Sequence, residues 1–451
     1  MILREEIDKK ANEFEIHTSD VQRDYIFGWV LAGIYNISDL KEYLILKGGN
    51  CLRKAYLENT RFSGDLDFSI QNALTPEFIG AELNKVCDFI TENAGVVFDK
   101  NKTRVNEKSR VRNDKLVYDA RIYFKDFYGN ESTICISVRM DITQYDKIYL
   151  PIQKRFLIHP YSDHEQCKVE LNCIKLEEVL ASKLKCLLQR QHVSDFYDYA
   201  HAFFDHNKLS INKSEIVFTF LKLTIFERYP GIVKKLLIDL PFESLRLLWT
   251  KHITAPKLGI IAFDSAFSRF IENVNELFGN YNQTYAEELF YPSKYRNIIL
   301  EAGRNLTLLE ITYNGHQRIV EPYSLAFKVR TDGVGQEYFY VYDLVGGSSG
   351  PGIKSLLHYN IQSIQNTEKK FQPKYEVEIS KAGEYLQSTY FGKSFSSRRT
   401  IIGRPIHIYE CVVCKKRFRK SQVGGKLNKH KDNYGNNCYG RYGAFIESIY
   451  N

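Results

Sequence analysis

The feature that most narrows the fold of this chain is an apolar segment, residues 43–46, that stops at Lys47-Gly48-Gly49-Asn50 and is followed by Arg61-Phe62-Ser63-Gly64-Asp65-Leu66-Asp67. Only glycine readily takes the positive φ that a sharp corner often needs, so the Gly-Gly pair ends a strand and opens a helix. Residues 67–70 then read as a second strand. Residues 133–143 read as a third, with Ile134, Ile136, Val138 and Met140 alternating against polar positions. Between them the pattern predicts a helix near 76–93, and residues 1–45 carry helical spacing at Val21, Tyr25, Gly28, Trp29, Ala32 and Tyr35. Strand, corner, helix and strand in this order make a mixed α/β unit.

With 451 residues there is room for about three domains. From Leu176 the pattern turns helical, with Leu176, Val179, Leu180, Leu184, Leu187 and Leu188 on one face, and it stays largely helical to about 290. A second β-rich stretch follows, with strands expected at 308–313, 324–330 and 337–344, a Gly-rich loop at 346–352 and a polar, basic linker at 392–399. The expected domains are an α/β domain at 1–175, a helical domain completing the active site at 176–290, a β domain at 291–390 and a basic module at 400–451. No run reaches the roughly 18 apolar residues of a membrane span, and the first residues lack a signal-peptide core. A cytoplasmic protein with no membrane partner is therefore expected.

The glycine corner and the aspartates carry chemistry together. Asp65 and Asp67, at i and i+2 on a strand, point to one face, where both carboxylates can bind Mg²⁺ beside a phosphate chain. The corner offers backbone N–H groups to the same phosphates. Asp141, at the end of a neighbouring predicted strand, can supply a third carboxylate. These are parts for metal-assisted transfer of a nucleotidyl group from a nucleoside triphosphate.

Cysteine usage points to a second metal. Cys51, Cys87, Cys135, Cys167, Cys173 and Cys186 stand singly among apolar neighbours, whereas Cys411, Cys414 and Cys438 gather at the far end with His430. A Cys-x-x-Cys pair in a turn forms half of a tetrahedral Zn²⁺ site, and His430 and Cys438 would close it. Charge is concentrated in the same place: from Phe391 onward the chain carries +10, and everything before it −2. Lys415, Lys416, Arg417, Arg419 and Lys420 surround Phe418, with Tyr434, Tyr439 and Tyr442 further on. Cations interleaved with aromatic rings suit RNA, a polyanion with stackable bases.

The N-terminal motifs resemble the AbiEii/MenT nucleotidyltransferases, toxins of bacterial toxin–antitoxin and phage-defence systems. The resemblance rests on Lys47-Gly48-Gly49, Arg61-Phe62-Ser63 and Asp65-Leu66-Asp67-Phe68, on the 177–185 segment containing Lys183, and on Ser194-Asp195-Phe196-Tyr197-Asp198-Tyr199, and spans residues 20–280. It implies that Gly48, Gly49 and Ser63 hold phosphates, Asp65 and Asp67 bind Mg²⁺, and Lys183 contacts the triphosphate. Asp195 would activate the attacking hydroxyl, with Asp198 as its backup. The family usually has Thr or Ser where Asn50 stands, so an amide replaces a hydroxyl donor there, and it commonly has Arg where Ser194 stands. The resemblance also implies an RNA acceptor, the tRNA acceptor end in particular, and a cognate antitoxin.

Residues 293–371 resemble a WYL-type domain, a small β-barrel, through Tyr313-Asn314-Gly315, Arg318-Ile319-Val320-Glu321-Pro322-Tyr323 and Tyr338-Phe339-Tyr340-Val341-Tyr342-Asp343. Glu337-Tyr338-Phe339 takes the place of the name-giving triplet, and Leu357 that of the Arg expected in the later strand. The whole reads as an α/β (α+β) protein: a nucleotidyltransferase fold with a helical bundle, then a WYL-like barrel and a zinc-binding tail. Two other functions fit the same residues. One is a catalytically inactive WYL and zinc-finger regulator that binds nucleic acid; the other is nucleotidylation of a protein or small molecule, which leaves the +10 segment without a purpose.

Overall fold

The computed structural model describes the chain apart from residues 1, 110–115, 127–134, 205–208, 282–287, 330–334, 348–349, 385–405, 421–425, 433–436 and 450–451. The 392–399 linker and Tyr434 lie outside the described residues. Two compact units form, Met1–Asn297 with Lys381–Gln387, and Ile298–Ser380 with Ser388–Asn451.

The first unit begins with helices α1 (Arg4–Phe14) and α2 (Thr18–Ile37). Residues Val21 to Ile34 of α2, apart from Arg23, are buried, as befits a helix enclosed by its own domain. Strand β1 (Ile45–Lys47) leads directly into α3 (Gly48–Cys51) and a wider π-helical turn, Leu52–Tyr56. Strand β2 (Asp65–Ile70) then runs back beside β1. Helix α4 (Pro76–Ala94) starts with Pro76 behind a Thr75 cap whose hydroxyl accepts from Phe78 N–H, and stops at Gly95 in the left-handed region.

Five further strands complete a mixed seven-stranded sheet: β3 (Arg104–Ser109), β4 (Leu116–Lys125), β5 (Cys135–Gln144), β6 (Gln153–Phe156) and β7 (Glu170–Cys173), in the order β3-β4-β5-β2-β1-β7-β6. The sequence pattern located the middle strands β1, β2 and β5. It missed β3, β4, β6 and β7. Helices α5 (Leu176–Arg190), α6 (Val193–Phe204), α7 (Lys213–Leu223), α8 (Pro230–Ile238), α9 (Phe242–His252) and α10 (Phe263–Phe278) form the expected helical region. Phe196 is its aromatic hub, with Phe242, Trp249, Phe263 and Phe270 at ring distances of 5.7, 5.6, 5.6 and 5.2 Å.

After α11 (Ser293–Asn305), the second unit holds an antiparallel sheet of β8 (Thr307–Tyr313), β9 (His316–Val329), β10 (Gly335–Asp343), β11 (Gly352–Leu356) and β12 (Ile361–Lys370). Asn314 and Gly315, both at positive φ, turn the β8–β9 hairpin. The expected barrel is corrected here. The order β11-β10-β9-β8-β12 is an open sheet, because closure needs the two terminal strands to pair and, among the described residues, β11 pairs only with β10 and β12 only with β8. Beyond it, β13 (Ile406–Cys411), β14 (Arg417–Lys420) and β17 (Gly443–Ile449) form a three-stranded sheet, and β15 (His430–Lys431) pairs with β16 (Asn437–Cys438). Among the described residues no helix is long and apolar enough to cross a membrane.

Candidate active site

Register brings the acidic residues together. Strands β2 and β5 run parallel with Asp67 opposite Asp141, and Asp65 lies two residues away on the same face. A carboxylate oxygen from each of Asp65, Asp67 and Asp141 lies within 4.8 Å of the others, a spacing that a divalent cation can bridge. The donor set fits Mg²⁺, a hard cation that takes oxygen ligands. Burial and the charges of Asp65 and Asp141 push the Asp67 carboxyl up to about 6, against the pull of Lys47 and Lys183. A cation bound there would relieve that repulsion.

The glycine corner presses on the same residues. Gly48 has φ +74°, and a Cβ there would sit 2.1 Å from Asp67 Oδ2. A Cβ on Gly49 would sit 2.7 Å from Ser63 Oγ and 3.0 Å from Arg61 Nη2. Gly48 thus serves conformation and clearance together, and a side chain at Gly49 would have to displace Ser63 or Arg61. Asn50 occupies a different place from the phosphate-facing one expected. It is fully buried, and its side-chain amide donates to the Asp65 carbonyl at 2.5 Å, pinning the first residue of β2.

The helical motifs meet this strand motif through a chain of alternating charges, buried from Arg61 to Asp195 and ending in the half-exposed Arg190. Lys183 Nζ lies 2.7 Å from Asp198 Oδ2 and 3.1 Å from Asp195 Oδ1. Arg190 grips Asp195 through Nε and Nη2 at 2.7 and 2.8 Å, and Arg61 grips Asp198 in the same bidentate way at 2.7 and 2.8 Å. Burial opposes charge on both aspartates, yet Lys183 and Arg190 hold Asp195 well below the usual carboxylate range, and Arg61 and Lys183 lower Asp198 likewise. Burial alone would also lower Lys183, but Asp198 and Asp195 hold its ammonium well above the ordinary lysine value.

Residues that sequence reasoning left without a role therefore belong to the site. Arg61 stood in a quoted motif, and its partner on α6 is a tertiary contact that no local pattern reports. Arg190 ends α5, where a terminal Arg is ordinary. Asp119 lies opposite Asp141 on β4 but is tied to Arg121 and Lys108. In the second unit, Cys411, Cys414, His430 and Cys438 come together, each with a ligand atom within 4.8 Å of the others.

No curated protein shows a significant match to the chain. Among solved structures, MenT4, a nucleotidyltransferase toxin of Mycobacterium tuberculosis H37Rv, aligns with 61% of this chain and 90% of its own, at 17% identity and a TM-score of 0.38. The family described as "Nucleotidyl transferase AbiEii toxin, Type IV TA system" matches residues 29–273, which hold the glycine corner, the three clustered aspartates and the Lys183 charge chain. Matched over more than half its length, the chain belongs to the AbiEii family of nucleotidyltransferase toxins.

Proposed function

We propose that the protein transfers a nucleoside monophosphate from a nucleoside triphosphate to RNA, most specifically to the hydroxyl at the tRNA acceptor end, and that it acts as a toxin held by a cognate antitoxin in phage defence. The observation that carries the transfer is the junction of Asp65, Asp67 and Asp141 with the glycine corner. Asp65 and Asp67 hold Mg²⁺ in this reading. The bound ion would orient the triphosphate and stabilise the attacking and leaving oxygens.

The chain's own residues do the rest. Gly48, Gly49 and Ser63 line the phosphates, and Lys183, Arg61 and Arg190 offset their charge. The acceptor oxygen attacks the α-phosphorus, the bond to the β-phosphate oxygen breaks and pyrophosphate leaves. Asp195 and Asp198, each already held by two cations, are poor proton acceptors and better anchors for Lys183 and the two arginines. In this reading the third carboxylate, Asp141, takes the hydroxyl proton.

An RNA acceptor is supported by the +10 segment after Phe391 and by the family's resemblance-based acceptor. Zn²⁺ at Cys411, Cys414, His430 and Cys438 is the second metal of this reading. The deciding experiment incubates the protein with each labelled triphosphate and total RNA. Label on RNA supports transfer to RNA; label on protein or small molecules, or no label, points to the other two readings.

A further inference from the structure

Among the described residues the C-terminal module has a small core for its charge. Among the described residues its buried apolar cluster is Tyr409, Cys411, Leu427 and Cys438, with Cys414 and Phe418 packed against it. Only Leu427 is aliphatic, and half of the six are cysteines. Residues 406–449 meanwhile carry nine cations against three acids. Segments of this size seldom bury enough apolar surface to fold without a cross-link or a metal.

A disulfide is not the cross-link present. All the cysteines are free, and Cys411 Sγ stands 3.8 Å from Cys438 Sγ, far beyond a sulfur–sulfur bond of about 2.05 Å. That separation is instead the one expected for two thiolates on a tetrahedral Zn²⁺, about 3.8 Å for Zn–S bonds of about 2.3 Å. Cys414 Sγ and His430 Nε2 are 3.3 Å apart.

The backbone is shaped to deliver these four atoms. Cys411 and Cys414 sit in a tight knuckle between β13 and β14, closed by Lys415 N–H to Cys411 O at 3.0 Å and Cys411 N–H to Lys416 O at 2.9 Å. His430 and Cys438 face each other across β15 and β16. His430 Nδ1 lies 2.9 Å from the Asn428 carbonyl, which fixes the proton on Nδ1 and turns the Nε2 lone pair toward Cys414. Gly440 N–H donates to Cys438 Sγ at 3.3 Å, and a Cβ on Gly440 would lie 2.4 Å from Cys411 Sγ.

We propose that Cys411, Cys414, His430 and Cys438 form a closed, structural Zn²⁺ site whose metal holds together a basic, tyrosine-bearing surface that grips single-stranded RNA. Three thiolates and one imidazole complete a tetrahedron and leave no position for water, so the ion does no chemistry. Arg417 and Arg419 are exposed on one face of β14, Lys426 and Lys429 are exposed nearby in sequence, and Tyr439 and Tyr442 are 88% and 63% exposed. Cations at this density complement a phosphate backbone, and exposed phenol rings offer stacking faces to unpaired bases. The RNA half rests on the RNA-acceptor reading; the metal half stands without it.

The test uses the full chain. Metal analysis of the purified protein should find one Zn²⁺ per chain, and Co²⁺ exchanged into it should show the visible bands of a tetrahedral thiolate site. A chain without zinc and without those bands overturns the metal site, and neither readout requires a variant to fold. For RNA, Arg417→Gln/Arg419→Gln/Lys426→Gln should weaken binding of a labelled single-stranded oligonucleotide by about tenfold or more and flatten its salt dependence. Tyr439→Ala/Tyr442→Ala should weaken binding with the salt slope kept. Unchanged RNA affinity in both zinc-loaded variants overturns the RNA surface and assigns it to a protein partner. Nucleotide transfer enters none of these measurements, so RNA binding without transfer would count against the proposed function alone.

Discussion

Arg61 and Asp198 meet edge to edge, the guanidinium Nε and Nη2 donating to the two carboxylate oxygens at 2.7 and 2.8 Å, and this pair joins the connector before β2 to helix α6. The pair is almost wholly buried, so neither partner tolerates losing the other. Asp198→Asn should destabilise the fold by about 3–5 kcal/mol, because the buried Arg61 would lose its carboxylate and Lys183 would keep only Asp195. Arg61→Lys keeps the charge and loses the fork, so it should fold nearly normally and raise the KM for the triphosphate. Urea denaturation and steady-state kinetics would check both, and an Asp198→Asn chain as stable as the parent would refute the pairing.

Removal of a metal-site carboxylate should behave in the opposite way. Asp65→Ala or Asp67→Ala should lower transfer by about a thousandfold or more, since triphosphate charge would go uncompensated at the reacting centre. The thermal midpoint of the metal-free protein should not fall. For Asp67→Asn it should rise, because the change removes a buried charge that Asp65 and Asp141 repel.

The same repulsion sets a pH dependence. Asp67 titrates in the folded protein at about 6, above the 3.8 of an unperturbed aspartate, so the folded state binds the proton more tightly than the unfolded chain. In metal-free protein this group therefore adds stability as pH falls from above 6 toward 3.8, and Asp67→Asn should abolish that increment. Cation binding needs the carboxylate and should weaken by about tenfold for each pH unit below 6. Calorimetric titration with Mn²⁺ at pH 5 and pH 7.5 would measure it; equal affinities would contradict the elevated value.

The role of Asp195 can be separated from that of Lys183. Lys183→Ala should raise the KM for the triphosphate by removing a buried cation that Asp195 and Asp198 hold in place. If Asp195 is an anchor, Asp195→Asn should also act mainly on KM and leave the acid limb of the rate profile where it was. A fall in kcat at constant KM, with that limb lost, would restore it as the activating base.

What could be read from the sequence follows from the range of the forces involved. The Gly48-Gly49 corner and the shared face of Asp65 and Asp67 could be read because strand alternation and glycine's φ freedom act within a few residues, and the Cys411-Cys414 pair because a Cys-x-x-Cys turn is local. Asp141 was found because its strand alternates cleanly. Strand β3, Arg104–Ser109, was not, because edge strands carry polar residues on both faces. Arg190 and Arg61 were not, because their partners are chosen by packing of distant elements. Asn50 reads as a ligand contact because it follows the glycine pair; its burial and its bond to the Asp65 carbonyl are tertiary facts. The barrel expectation failed at a point no strand pattern encodes, whether the first and last strands of a sheet meet.

Gly48 ties local conformation to chemistry most directly, and its substitution gives the sharpest remaining prediction. Gly48→Ala would impose two costs at one position. At φ +74° an alanine pays the left-handed penalty of about 1–2 kcal/mol. Its Cβ would also fall 2.1 Å from Asp67 Oδ2 and 2.9 Å from Asp67 Cγ, so that carboxylate must move. Asp67 is one of three carboxylates within 4.8 Å of each other, and a displacement of an ångström is enough to spoil shared cation binding. The variant should therefore fold with only a modest loss of thermal midpoint while Mn²⁺ affinity and nucleotide transfer fall together. Gly64→Ala is the control, since a Cβ there meets nothing within 4 Å. Retained Mn²⁺ binding in Gly48→Ala, with transfer lost, would place the defect at the phosphates instead of the cation.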